Sequence, residues 1–216
     1  REILVHMMNE TNSVETSEVS ESKNTQPWLM TLLLVFVLAA GVFLRFTGID
    51  WDEDQHLHPD ERFLTMVSTA IEPVDSIREY FDTANSSLNP HNRGYTFYVY
   101  GTLPIFIARY VGEWMEMTGY GNIHLVGRAL SAVVDLLTVL LVFLTAQRLY
   151  DRRVGLLAAA FYAVAVVPIQ QSHFYTVDTF ASFFMMLAIY LAALIATSNP
   201  VDGNSSPDQS SDADER

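Results

Sequence analysis

Twenty residues, RFTGIDWDEDQHLHPDERFL from Arg45 to Leu64, hold six carboxylates and two histidines. The pair Asp60 and Glu61 leads among them, because transfer of a glycosyl or acyl group to a hydroxyl needs a carboxylate placed to accept the proton. The competing account is a solvated helix start, where acids offset the positive end of the dipole. His56 and His58, with Asp52, Glu53 and Asp54, form a weak candidate for a divalent cation, since His-x-His in an extended segment aims both rings to one face. A solvated acidic loop is the simpler account, and residues 50–54 then read as the approach to Asp60 and Glu61.

A second polar group, Gln170, Gln171, Ser172 and His173, precedes Asp178. Asp178 is either a helix cap or, with Gln171 and His173, part of a patch that holds the head of a lipid-linked substrate. Arg45, Arg62 and Arg93 are candidates for gripping a phosphate through paired charge-assisted hydrogen bonds. Their alternatives are an interface anchor, an intrahelical ion pair and a solvated turn residue, respectively. Asp135 lies inside an apolar run with Arg128 two turns away on a similar face, and reads as a structural polar contact.

The elements that must position these groups are helices in a membrane. Half of the 216 residues are hydrophobic although the formal net charge is −13, and the charge is segregated into tails and one loop, as in a multi-pass membrane protein. An all-α integral membrane fold is expected, with about four transmembrane helices and a first outer loop carrying short amphipathic or interfacial helices. Residues 1–27 read as a disordered tail, and Arg1 as the first residue, with Met7 and Met8 close behind, suggests a fragment or a misplaced start. Spans are expected at 28–46, 126–148, 154–171 and 178–197, with a disordered polar tail at 198–216. The loop 47–125 includes residues 95–117, whose charge-free part is too short for an ordinary span and contains Gly101 and Pro104. If that part does not cross, Asp60 and Asp178 share a face. The basic connection Arg148, Arg152 and Arg153 then lies on the cytoplasmic side.

The acidic balance offers no basic stripe for nucleic acid. With no cysteine, disulfides and thiolate sites are excluded.

The succession GRALSAVVDLLTVLLVFLTAQRLYDRRVGLLAAAFYAVAVVPIQQSHFYTVDTFASFFMMLAIYL resembles polyprenol-phosphate-sugar-dependent glycosyltransferases of the protein O-mannosyltransferase and aminoarabinose transferase type, which have the GT-C fold. In that family a Gly-Arg helix, a basic turn, a Gly-Leu-Leu-Ala-Ala helix and a turn leading to an Asp follow one another. The first span with an Asp-Glu outer loop matches as well. The resemblance covers roughly 28–197 and implies the N-terminal part of such an enzyme. It implies a polyprenyl-phosphate sugar donor, a protein, lipid or glycan acceptor, and no required cofactor, although His56 and His58 keep a divalent cation in view. It also implies a plasma (inner) membrane location with the site on the extracytoplasmic face. Asp60 matches the loop carboxylate proposed as base, with Glu61 beside it, and Asp178 matches a second acidic position. His173 departs from the pattern, standing where an arginine is common. The alternative class is a transporter or lipid-binding membrane protein without catalysis, and a third is a non-catalytic scaffold.

Overall fold

The computed structural model describes residues 27–198, so the tails expected at 1–27 and 198–216 lie almost wholly outside the described residues. Among those described, the fold is all helical: α1 (Pro27–Phe46), α2 (Pro59–Ala70), α3 (Ile77–Phe81), a 3-10 turn (Pro90–Arg93), α4 (Thr102–Trp114), α5 (Tyr120–Leu149), α6 (Arg152–Ala163), α7 (Val166–Ser172) and α8 (Asp178–Ala196).

Length decides which of these can cross a membrane. At 1.5 Å per residue, the 20 residues of α1 and the 19 of α8 each reach about 30 Å, the thickness of a hydrocarbon core. The 30 residues of α5 reach about 45 Å, so its first turns stand clear of the core and carry Tyr120, His124 and Arg128 toward the loop. By contrast α4, at 13 residues, is too short to cross. The run expected to return across the membrane at 154–171 is broken: α6 and α7 meet at 59° around Val164 and Ala165. Among the described residues, three helices are therefore long and apolar enough to cross, and four if the bent pair is one span.

The two ends of the bundle differ. At one, Arg152 donates to Thr31 Oγ1 at 2.8 Å and Arg148 Nε to Thr197 Oγ1 at 2.6 Å, gathering the start of α1, the α5–α6 joint and the end of α8. Asp151 caps α6 there by accepting from the amides of Arg153 and Val154. At the other end, α2 to α4 build a small cap with its own apolar core of Leu64, Val67, Ile71, Leu88, Ile105 and Ala108, into which Tyr175 from the α7–α8 turn inserts. The loop and that turn thus sit on one side of the bundle, because α4 does not cross.

A buried arginine holds the bend against α1 and α5. Arg45, near the end of α1, is fully buried, with its Nε 2.6 Å from Asp135 Oδ2 and its Nη1 3.0 Å from the Ala163 carbonyl. It is therefore neither an interface anchor nor exposed to a substrate. A bend in a membrane helix strips carbonyls of their i+4 donors, and such a break survives where protein groups replace them; Arg45 does so at Ala163. Asp135 also accepts from Tyr162 at 2.9 Å, so its partner is Arg45 and not Arg128.

Gly127 lets the Tyr175 ring pack directly on the α5 backbone. A Cβ there would fall 2.1 Å from Tyr175 Cγ, inside any tolerable contact. Gly127→Ala would add up to about 1 kcal/mol of helix propensity, yet forced repacking costs about 1–3 kcal/mol. The overlap is the larger effect, so the variant is expected to unfold at lower temperature in detergent and to break the 2.8 Å bond between Ser68 and Tyr175.

Candidate functional site

The site is built on the first turn of α2. Pro59 occupies the first helical position, where its missing N–H costs nothing. His58 caps the helix, its Nδ1 accepting from the Glu61 amide at 3.4 Å. The two adjacent acids then point in different directions, since neighbours on a helix are about 100° apart.

Glu61 turns inward. It is wholly buried, and its carboxylate receives Arg128 Nε at 2.9 Å, Arg128 Nη2 at 2.5 Å and the Tyr175 amide at 2.7 Å. The same guanidinium reaches Asp52 Oδ1 at 2.9 Å and the Ile49 carbonyl at 2.8 Å. Asp52 is buried, so residues 50–54 are not uniformly a solvated approach. Burial pushes the Asp52 carboxyl up, but the hydrogen bonds from Arg128 and the Leu57 amide, with the arginine charge, together hold it below its usual value of 3.8. A carboxylate as fully engaged as Glu61 positions its surroundings, joining α2, α5 and the α7–α8 turn.

Asp60 is half-buried and accepts from the Tyr100 hydroxyl at 2.8 Å. Tyr100 is held above its usual value first by that hydrogen bond, then by burial and the negative charges of Asp60 and Asp178. Asp178 is exposed at the start of α8 and has no side-chain cap bond at that terminus. One phenol therefore lies within electrostatic reach of both carboxylates, although the acids are 118 positions apart. Nothing in the pattern of the sequence singles out Tyr100, which stands in a charge-free aromatic run.

The other expected residues scatter. Arg62 is exposed two positions beyond Asp60 and donates from Nε to the His56 carbonyl at 3.0 Å. Arg93 pairs with Glu72 at 2.5 Å and donates to the Ser87 carbonyl, tying the loop to itself. His173 bridges the α7 end to the α1 end, with Nδ1 2.7 Å from the Ile169 carbonyl and Nε2 3.0 Å from the Thr47 carbonyl. Gln171 is half-buried with its Oε1 enclosed. His56 and His58 do not share a face, because His56 adopts φ 48° and the segment is not extended. The His56 ring packs on Tyr120 and His124, each at 4.4 Å, while His58 packs on Phe174 at 4.5 Å. Trp51, Gln170, His173 and Phe174 line a shallow cleft at this same end.

Residues 114–202 match the dolichyl-phosphate-mannose-protein mannosyltransferase family. The match runs from the end of α4 through α8 and covers less than half of the chain. It supports a membrane glycosyltransferase of the mannosyltransferase kind, and it includes Arg128 and Asp178 but not the loop that carries Asp60. Comparison with curated proteins and with solved structures finds no match.

Proposed function

We propose that the protein transfers a sugar, with inversion, from a polyprenyl-phosphate donor to a hydroxyl of a protein, lipid or glycan acceptor on the extracytoplasmic face of the plasma membrane. The observation that carries this reading is the Asp60 carboxylate, held by the Tyr100 hydroxyl at 2.8 Å with the charge of Asp178 within electrostatic reach of that phenol, at the end of the bundle remote from Arg148, Arg152 and Arg153. The positive-inside tendency assigns those arginines to the cytoplasm.

In the proposed step, Asp60 takes the proton of the acceptor hydroxyl as its oxygen attacks the anomeric carbon. The bond from that carbon to the donor phosphate oxygen breaks, and the lipid phosphate leaves with the electron pair. Tyr100 orients Asp60, and Arg62 and the amide end of α8 offset the charge that develops on phosphate. Glu61 keeps α2 in register for this chemistry. Transport without catalysis would call for ionisable groups open to a path at mid-membrane, whereas Asp135 is occupied by Arg45 and Tyr162.

The test supplies the protein in lipid vesicles with labelled mannose on a polyprenyl phosphate or on a guanosine diphosphate. Consumption of the lipid-linked donor, with release of free polyprenyl phosphate and no use of the nucleotide sugar, is the expected result. Consumption of the nucleotide sugar alone would overturn the reading.

A further inference from the structure

Next to the Arg128 network, one carboxylate oxygen each of Asp50 and Asp54 and one ring nitrogen of His124 lie within 4.8 Å of one another. Exposed acids alone would mean little, but His124 is completely buried and neither of its ring nitrogens has a hydrogen-bond partner. Its Nε2 is aimed at Asp54 Oδ1 across 3.4 Å. His56, whose ring meets it edge to face at 4.4 Å, is also buried with both nitrogens unpartnered.

A charge-assisted hydrogen bond between imidazole and carboxylate would close to about 2.7–2.9 Å. A separation of 3.4 Å instead matches the edge of a tetrahedron whose centre lies about 2.0–2.2 Å from each ligand atom. Charge points the same way. Asp52 and Glu61 exceed Arg128 by one negative charge, and Asp50 and Asp54 add two more within the same loop and helix turn.

We propose that Asp50, Asp54 and His124 bind a divalent transition-metal cation of the zinc type, which pins the first outer loop to the first turns of α5. The donor set of two carboxylate oxygens and one imidazole suits such an ion. Its role is positional: Asp50 and Asp54 flank Asp52, so fastening them seats Asp52 against Arg128.

The experiment uses chelator-treated protein in detergent, titrated with Zn2+ alone against a chromophoric competitor, with thermal unfolding followed in parallel. The expected result is one ion per chain and a higher unfolding temperature. Asp50→Asn and Asp54→Asn, at exposed positions that the fold tolerates, are each expected to weaken binding by about tenfold or more and to abolish the thermal shift. His124→Ala should behave likewise. Failure of the unsubstituted protein to bind, or binding by both aspartate variants equal to it, would overturn the proposal. None of these readouts uses sugar transfer, so the result stands apart from that of the donor assay.

Discussion

Asp60→Asn is expected to reduce sugar transfer by about 10²–10⁴-fold, the usual contribution of a general base, while leaving the unfolding temperature unchanged. The amide keeps the shape of the carboxylate and still accepts from Tyr100, which is 2.8 Å away, but it takes up no proton. Glu61→Gln is the companion experiment. It removes one charge from a buried pair and leaves Arg128 with Asp52 alone. Each hydrogen bond to a charged group that it weakens is worth about 1.5–3 kcal/mol, so this variant should unfold more readily and lose activity as a consequence. Tyr100→Phe should fall between them, keeping stability but shifting the pH profile of transfer, since Tyr100 orients Asp60. Full activity in Asp60→Asn would remove that residue from the mechanism. Equal stability losses at Asp60 and Glu61 would remove the distinction between the two acids.

Those two neighbours also show what a sequence discloses and what it withholds. The all-helical membrane class was legible because it depends on one-dimensional quantities, the length of a run and the charge within it. Of the four spans expected, three helices among the described residues are long enough to cross, and the run at 154–171 is a bent pair. The short segment before Arg109 was ambiguous in the sequence, where its length favoured a non-crossing helix and the shared face of Asp60 and Asp178 depended on that; α4, at 13 residues, is too short to cross. The inward turn of Glu61 was not legible, because its partner lies 67 residues away, on another helix. Arg128 carried a signal that was misassigned. Spacing on one helix face suggested Asp135, seven residues later, but the two side chains serve different levels of the bundle. Arg128 reaches up to Glu61 and Asp52, and Asp135 meets Arg45 from another helix. An arginine and an aspartate at the edges of apolar runs each demand a buried partner, and only the packing decides which. The α6–α7 bend did leave a mark, since Pro168 has no N–H for the Val164 carbonyl and its ring crowds that carbonyl; what the sequence hid is that Arg45 takes up the carbonyl of Ala163.

Removing the Arg128 side chain should have the largest effect on the fold. Arg128→Met preserves bulk and helix propensity but strands Asp52 and Glu61 as buried carboxylates. The expected cost is about 3–5 kcal/mol, a large fraction of the roughly 5–15 kcal/mol that stabilises an ordinary domain. The loss should be local before it is global, because the bundle core of Val139, Phe143, Ala159 and Ala163 does not touch this network. Proteolysis in detergent is therefore expected to cut within residues 47–58 while the spans remain intact. Arg128→Lys should recover only part of the stability, since one ammonium cannot span both carboxylates in the geometry of a guanidinium. Adding Glu61→Gln to Arg128→Met should restore some of it by removing a stranded charge. Acid probes the same lock. Asp52 has a lower value in the folded chain than in the unfolded one, so its stabilising contribution is complete above about pH 4–5 and fades as pH falls through its depressed folded value. Arg128→Met removes the arginine's share of that depression and leaves only the Leu57 amide and the charge of His124 to oppose burial, so the cap should lose most of its acid sensitivity in that interval along with its stability. A variant with an unchanged cleavage pattern would show that the loop is held by its apolar core instead of by the arginine.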